Sequence, residues 1–153
     1  MSEWFRIRRA IPAEYALLAE IFRMSVREVA ARDYTPAQID AWTSAEPDWD
    51  AQEAFVFVAE DSGTPIGFAE YELPDSVGMT YVHPQYVKKG AGRALLAALE
   101  AEAVRRGVEV LNVEASITSR PFFQACGFAV ITPQIVRVRG EDFLNYRMTK
   151  RLK

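Results

Sequence analysis

A loop rich in lysine and glycine lies near the middle of the chain and reads VKKGAGR over residues 87–93. Glycine turns at the start of a helix direct several backbone N–H groups at one point, where the helix dipole adds partial positive charge. Gly90 and Gly92 leave the main chain open to a ligand, and three basic side chains add formal charge. The loop therefore favours an anion such as a phosphate. The alternative is a solvated lysine pair beside the start of a helix.

The segments on either side of this loop decide whether it can work as an anion site. Residues 77–82 have the pattern of a strand, and Leu95, Leu96 and Leu99 form an apolar stripe that predicts a helix ending at Gly107. A loop between a strand and a helix N-terminus has the required geometry. Two common motifs are absent: the P-loop pattern GxxxxGK[S/T], and the third glycine of the dinucleotide fingerprint.

The rest of the chain alternates strand and helix patterns and predicts an α/β (α+β) fold. Pro12 and the apolar spacing after it predict a long first helix, and Thr35-Pro36-Ala37-Gln38 predicts a capped second helix through Trp42. A short helix is expected over residues 118–126. The other strands are predicted at residues 5–9, 55–60, 66–73, 108–115 and 127–132, with a closing hairpin over 135–148 that turns at 139–141.

Length and composition limit the classes of function. A chain of 153 residues, half of them hydrophobic and without a linker, is expected to form a single domain over residues 1–153. The net charge of −3 argues against nucleic-acid binding, and the lack of a long apolar run argues against a membrane span. The single Cys126 excludes an internal disulfide, which suits a cytoplasmic protein. His83 is the only histidine, so no metal site is expected and a structural hydrogen bond is its expected role.

Three segments in order resemble the GNAT superfamily of acetyl-CoA-dependent N-acyltransferases. They are TYVHPQYVKKGAGRALLAALE, then LNVEAS, then RPFFQACGF. The resemblance covers nearly the whole chain and implies a mixed, twisted sheet of about six to seven strands with helices on both faces. It also implies an acetyltransferase that moves an acetyl group from acetyl-CoA to a primary amine by direct attack in a ternary complex.

The resemblance implies which residues hold acetyl-CoA. The strand at Tyr81 and Val82 would pair with the pantetheine arm, and the loop N–H groups would bind the pyrophosphate. Val87 stands where the family usually has glutamine or arginine, so one polar contact is missing. The implied cofactor-binding residues are Tyr81, Val82, Val87, Lys88, Lys89, Gly90, Ala91, Gly92, Arg93, Ser116 and Phe123.

The resemblance makes Glu114 the candidate base, because some members that acylate protein N-termini carry a catalytic glutamate on the corresponding strand. An ion-paired or hydrogen-bonded carboxylate at a strand end is the alternative for Glu114. Other members place a glutamate on the strand before the loop, where this chain has Gly78, and the nearest carboxylates are Glu70 and Glu72. Ser116 matches a position that contacts the cofactor arm, and it fits a helix cap equally well.

Phe123 departs from the family at the position of the tyrosine that commonly protonates the leaving thiolate. Phenylalanine has no proton to give, although a thiol with a pKa near ~8.5 leaves tolerably as the anion. Ser116, Ser119, Tyr146 or a water could replace the acid, and Tyr146 is the preferred candidate on chemistry alone. A core or rim aromatic in the last strand is the alternative for Tyr146.

The expected acceptor is a small-molecule amine, with a peptide amine also open. Aromatic and acidic residues before residue 55 suggest an acidic mouth that attracts and stacks a cationic amine, or else an ordinary solvated surface. A homodimer is left open. Two other functions are a non-catalytic acyl-CoA-binding sensor, suggested by Phe123 and Gly78, and a general nucleotide binder. The residues of the expected mouth are Tyr34, Trp42, Trp49, Asp33, Asp40, Glu46, Asp48 and Asp50.

Overall fold

The computed structural model of the protein describes residues 5–49 and 54–152. Within them, seven strands and four α-helices follow one another along the chain. Asp50, one of the acidic residues expected at the acceptor mouth, lies outside the described residues. The elements are β1 Arg6–Arg9, α1 Tyr15–Glu28, α2 Pro36–Thr43, β2 Ala54–Asp61, β3 Thr64–Glu72, β4 Ser76–Val82, α3 Ala91–Arg105, β5 Val110–Ser116, α4 Arg120–Ala125, β6 Ala129–Val138 and β7 Glu141–Arg151.

All seven strands belong to one sheet in the order β1-β2-β3-β4-β5-β7-β6. Neighbouring strands run antiparallel except β4 and β5, which are parallel. Antiparallel neighbours can be joined by tight turns, whereas a parallel pair needs a crossover, and α3 supplies it between β4 and β5. The predicted mixed sheet is confirmed. None of the helices within residues 5–49 and 54–152 has the length and apolar character needed to cross a membrane.

A hydrophobic core lies on each face of the sheet, as predicted. On one face, α3 buries Leu95, Leu96 and Leu99 against β2 and β3, and α4 adds Phe123 beside β5. On the other face, α1 and α2 pack on residues such as Phe68 from β3. Helices therefore cover both faces, and β4 and β5 lie at the centre of the sheet between the two layers.

Hydrogen bonds to backbone carbonyls hold α2 against the β6–β7 hairpin. The predicted capping box is present, with Thr35 Oγ1 accepting from the Gln38 N–H at 3.1 Å. Gln38 Nε2 also donates to the Asp142 carbonyl at 2.7 Å, and Arg139 Nε donates to the Ala41 carbonyl at 2.6 Å. The end of α2 is thus fixed beside β7.

The C-terminal strands differ from the sequence prediction. A strand over 127–132 and a separate hairpin over 135–148 were expected, but β6 runs without a break from Ala129 to Val138. Pro133 lies within it, opposite Tyr146 of β7, and the register shifts between Val130 and Thr132. Proline lacks an N–H and is tolerated in an edge strand, and β6 is at the edge of the sheet. The proline therefore does not end the strand.

Candidate active site

A gap opens in the middle of the sheet because β4 and β5 pair over only two rungs. Ser76 is opposite Asn112 and Val77 is opposite Val113, and no further β4–β5 pairs follow within the described residues. A small cavity of about 90 Å³ lies beyond these rungs. Its lining includes Gly78, Thr80 and Tyr81 from β4, Glu114 and Ser116 from β5, and Phe123 from α4.

The main chain of β4 presents hydrogen-bond donors to this gap. The His83 N–H donates to the Ile66 carbonyl of β3 at 2.7 Å, and β3 and β4 are antiparallel. Alternate residues of an antiparallel strand direct their peptide groups away from the partner, and here these residues are Thr80 and Val82. Because β5 has diverged from β4 at this level, their N–H groups face the gap.

The glycine loop opens onto a cavity of about 420 Å³ on one side of this gap. Val87, Lys88 and Arg93 contribute to the lining, as do both glycines, whereas Lys89 is exposed and Ala91 is buried. Helix α3 begins at Ala91, and no side chain caps its N-terminus. The first N–H groups of α3 are therefore available to an anion.

The two glycines of the loop serve different purposes. Gly90 has φ +95°, which strains any residue with a side chain, and a Cβ built there meets nothing within 4 Å. A Cβ on Gly92 would lie 3.3 Å from the Phe122 ring of α4. Gly90 therefore allows the turn, and Gly92 allows the loop to pack against α4.

His83 Nδ1 accepts from the Gln85 N–H at 3.1 Å, which confirms the structural hydrogen bond predicted for this histidine.

Phe123 lies where the cavity beside the glycine loop meets the gap, since it lines both. It is buried and packs edge-to-face against Phe122 and Phe128. Thr80 and Ser119 also line both cavities and bring hydroxyl groups to this junction. The structure thus supplies hydroxyls near the position of the family tyrosine.

Ser116 and Ser119 are bonded to each other at the end of β5. The Ser116 N–H donates to Ser119 Oγ and the Ser119 N–H donates to Ser116 Oγ, both at 3.0 Å. The two hydroxyls are also 3.0 Å apart. Ser119 precedes α4 but its side chain forms no cap. The pair closes the turn between β5 and α4 and places both hydroxyls beside the gap.

A second cavity, of about 240 Å³, lies on the opposite side of the gap from the glycine loop. Aromatic rings of Tyr34, Trp42, Tyr81 and Phe143 line it. Its polar lining is Glu114, Ser116 and Asn145, and Asn145 Oδ1 is buried without a hydrogen-bond partner among the described residues. At about 240 Å³ the cavity is smaller than a typical drug-sized pocket, and its aromatic walls suit a small ligand.

Hydrogen bonds hold the aromatic walls in place. The Tyr34 hydroxyl donates to the Leu144 carbonyl at 3.0 Å and accepts from the Ile117 N–H at 2.9 Å. Burial raises the pKa of Tyr34, and the Ile117 N–H opposes this. Burial also raises the pKa of Tyr81, whose hydroxyl oxygen accepts from the Trp42 indole. Both tyrosines therefore stay neutral near pH 7.

Glu114 lies on β5 facing the second cavity and the gap. Its side chain is exposed, and within the described part of the chain it forms no hydrogen bond or ion pair, although Arg147 is opposite it on β7. The alternative of a paired carboxylate at a strand end finds no partner in these residues. Glu114 is therefore an open negative charge at the entrance.

Tyr146 lies on the other face of the sheet from Glu114. It is opposite Ala115 of β5, which is buried in the core under α3, and successive residues of a strand face opposite ways. The Arg120 guanidinium covers its ring at 4.7 Å. The structure therefore does not bring Tyr146 together with Glu114.

The acidic and aromatic residues of the expected mouth are dispersed. Trp49 stacks on Tyr15 at 5.1 Å and packs edge-on against Phe68 at 5.5 Å, within the core. Glu46 pairs with Arg23. Asp33 accepts from Thr118 Oγ1 at 2.7 Å. Of the three aromatic residues, Tyr34 and Trp42 are the ones that line the second cavity.

Glu70 is a buried carboxylate close to the gap that sequence reasoning noted without assigning it a role. It lies on β3, is 7% exposed, and accepts the Met79 N–H of β4 at 3.2 Å. Met79 and its neighbour Gly78 both line the second cavity. The sequence alone could not predict that Glu70 contacts Gly78, because the pairing of β3 with β4 decides which carboxylate reaches this glycine.

Comparison with known proteins identifies the family. Residues 28–150 match the acetyltransferase (GNAT) domain. The chain is 34% identical over 146 residues to YafP of Escherichia coli strain K12, an uncharacterized N-acetyltransferase, covering 94% of this chain and 93% of YafP. A crystal structure of a GCN5-related N-acetyltransferase from Rhodopseudomonas palustris is 34% identical with a TM-score of 0.93, covering 99% of this chain and 98% of that one. The chain belongs to the GNAT family of N-acetyltransferases.

A more distant structure carries the ligand of the family. YncA of Salmonella typhimurium, solved with its cofactor acetyl-CoA, has a TM-score of 0.73 and 24% identity, covering 99% of this chain and 95% of that one. At this identity the likeness shows the fold alone. The resemblance noted in the sequence and the fold expected from it are both confirmed.

Proposed function

We propose that the protein transfers the acetyl group of acetyl-CoA to a primary amine within a ternary complex. The observation that carries the proposal is that the gap connects two cavities. Thr80, Ser119 and Phe123 line both the gap and the cavity beside the glycine loop, while Tyr81 and Glu114 line both the gap and the aromatic cavity. Two substrates bound on opposite sides can therefore meet between β4 and β5.

The cofactor side fits a molecule that carries a pyrophosphate and a long polar arm. The free N–H groups at the start of α3 bind the pyrophosphate, and Lys88 and Arg93 add positive charge. The arm lies along β4, where Thr80 and Val82 present peptide groups to the gap. Acetyl-CoA supplies an activated acyl group as a thioester. One of these N–H groups donates to the carbonyl oxygen as negative charge develops on it.

The aromatic cavity fits the acceptor amine. Glu114 attracts the ammonium form to the entrance, and the rings of Trp42 and Tyr81 hold an apolar or flat body. An ammonium has no lone pair, so a carboxylate must first remove a proton. Glu114, the base expected from the sequence, lines the gap, and Glu70 lies behind the gap wall, where it accepts the Met79 N–H.

The thiolate leaves on the side of Phe123, where Ser119 and Thr80 bring hydroxyls to the junction. A thiol with a pKa near ~8.5 departs without strong acid catalysis, so a hydroxyl or water is enough. Phe123 then gives the arm a hydrophobic contact. The absence of the family tyrosine also suits the second candidate function, a sensor that binds acyl-CoA without turnover.

Release of free CoA thiol from acetyl-CoA tests the proposed function. The acceptors are tyramine, benzylamine, spermidine and a tetrapeptide with a free α-amino group, and the control contains no amine. We expect thiol release that depends on at least one amine, with the acetylated product seen by mass spectrometry. Tight binding of acetyl-CoA without amine-dependent release would support the sensor instead. Calorimetry showing equal affinity for CoA and ATP would favour a general nucleotide binder.

A further inference from the structure

The strand β4 contains a bulge at the level of Glu70. Ala69 is opposite Thr80 and Tyr71 is opposite Val77, so two residues of β4, Gly78 and Met79, are opposite the single Glu70 of β3. A bulge turns two consecutive residues toward one face of the sheet. Consistently, Val77 packs in the core under α3, whereas Met79 packs on the face of α1 and α2.

Glu70 faces the same side as this bulge. It is opposite Val56 of β2, which belongs to the core under α1 and α2, and residues opposite one another share a face. A Cβ built on Gly78 would overlap Glu70 Oε1 and lie 2.9 Å from Glu72 Cδ. The Glu70 carboxylate therefore occupies the space where a side chain at position 78 would begin.

Glu70 lies directly behind the wall of the gap and does not itself line it. Gly78 and Met79 line both the gap and the aromatic cavity, and Glu70 Oε1 is held by the Met79 N–H. The other oxygen, Oε2, accepts no hydrogen bond from residues 5–49 or 54–152. One oxygen of Glu70 is thus fixed to β4, and the other is open to a proton donor.

We infer that Glu70, rather than Glu114, takes the proton of the acceptor amine in the proposed reaction. The inference rests on the proposed function. One ammonium proton passes to Glu70, and the freed lone pair forms the N–C bond to the thioester carbonyl carbon. The C–S bond breaks, and its electron pair leaves with sulfur. The amide nitrogen loses a second proton, so that one of the two protons ends on CoA sulfur and the other in solvent.

The surroundings of Glu70 suit a base better than those of Glu114. Burial raises the pKa of Glu70, and the nearby charges of Glu72 and Asp48 raise it further, while the Met79 N–H lowers it. Tyr81, the titratable neighbour from β4, stays neutral. A base is most effective when its pKa lies near the working pH.

Replacing each carboxylate by its amide separates the two roles. Glu70→Gln keeps the size and an oxygen for the Met79 N–H but cannot take a proton. We expect kcat to fall about 100-fold or more, as for loss of a general base, with unchanged affinity for acetyl-CoA. The pH profile of kcat/KM for the most active amine of the panel should lose its acidic limb. The matched control, Glu114→Gln, should raise KM for that amine and keep both kcat and the limb.

A second pair of variants tests position as well as charge. Glu70→Ala vacates the space above Gly78, and adding Gly78→Glu returns a carboxylate to it from β4. We expect kcat of the double variant to be at least about tenfold higher than that of Glu70→Ala, because a positioned base contributes ~100-fold or more. Gly78→Glu alone should impair the enzyme, since its side chain meets Glu70 and Glu72.

Each result decides between the carboxylates. Retention of kcat and of the acidic limb in Glu70→Gln, with loss of both in Glu114→Gln, would overturn the inference and leave the proposed function intact. Absence of amine-dependent thiol release from the native protein would instead reject the proposed function. Circular dichroism and acetyl-CoA binding check that the variants fold. If Glu70→Gln does not fold, an intact acidic limb in Glu114→Gln supports Glu70, and its loss overturns the inference.

Discussion

The two sides of the gap are built in different ways. On the side of the glycine loop, the hydrogen-bond donors offered to the proposed cofactor include main-chain N–H groups at the start of α3 and along β4. On the other side, the aromatic cavity is lined by side chains from α2, β4, β5 and β7. Main-chain sites depend on local conformation, whereas side-chain sites depend on which distant segments meet. The proposed cofactor side therefore depends on local conformation, and the proposed acceptor side depends on long-range contacts.

This difference explains which features of the fold and the site could be predicted from the sequence. Gly90 adopts the left-handed conformation that only glycine accepts easily, and α3 begins just after it, so the loop could be predicted from local signals. The order of elements and the mixed sheet followed from apolar periodicity and the family resemblance. The capping box at Thr35 and Gln38 was also local.

The acceptor side depends on long-range pairing, which one sequence does not reveal. The bulge that brings Glu70 over Gly78 arises from the register of β3 with β4. Trp49 was expected at the mouth, but it packs on Tyr15 and Phe68 in the core. The continuous β6 was not predicted, and Pro133 is tolerated within it because β6 is at the edge of the sheet.

The largest effect on ligand affinity is expected from a side chain at Gly90. Gly90→Ala strains a backbone with φ +95° and disturbs the N–H groups of the cradle. Hydrogen bonds to charged groups contribute about 1.5–3 kcal/mol, so losing one should weaken acetyl-CoA binding roughly 10- to 100-fold. Calorimetry measures this affinity.

Gly63→Ala is the matched control for Gly90→Ala. Gly63 has φ +91° and equally open surroundings, but it lies in the turn between β2 and β3. The two variants carry the same backbone penalty, and only Gly90 lines the cofactor-side cavity. Equal acetyl-CoA affinity in the two variants would show that the main chain at Gly90 does not contribute to cofactor binding.

A smaller effect is expected at Glu114, on the acceptor side. Its exposed carboxylate attracts the ammonium through solvent-screened charge, and exposed ion pairs contribute about 0.2–1 kcal/mol. Glu114→Gln should raise KM for a cationic amine about threefold and leave acetyl-CoA affinity unchanged, as steady-state kinetics and calorimetry would show. A loss of acetyl-CoA affinity would show that the two sides are not separate.

Removal of the buried charge at Glu70 should change stability with pH. The pKa of Glu70 is raised above its ordinary value of 4.5, so the folded state keeps a proton that the unfolded state has released. The stability of the native protein should therefore fall as pH rises from 4.5 through the raised pKa. Glu70→Gln lacks this fall. The difference in melting temperature between the variant and the native protein should therefore grow in favour of the variant over that pH range, by roughly 2–4 °C for each kcal/mol of stability that the native protein loses. A constant difference from pH 4 to 8 would contradict the buried charge.

The smallest effect is expected at Tyr146. Tyr146→Phe removes the hydroxyl proposed from the sequence as the acid, but the ring lies on the other face of the sheet from Glu114 and under Arg120. We expect kcat to change less than about twofold, because Tyr146 lines neither the gap nor the two cavities beside it. A drop of kcat with an altered basic limb of the pH profile would restore Tyr146 to the mechanism.

The attachment of α2 to the β6–β7 hairpin bears on how the specificity of this enzyme can change. Gln38 and Arg139 bind backbone carbonyls of the partner segment, which are present whatever side chains that segment carries. Trp42 and Phe143, on those same two segments, line the aromatic cavity that is proposed to hold the acceptor. Evolution or protein engineering can therefore exchange the pocket residues while the anchoring bonds persist, and new acceptors become accessible without rebuilding the cofactor cradle.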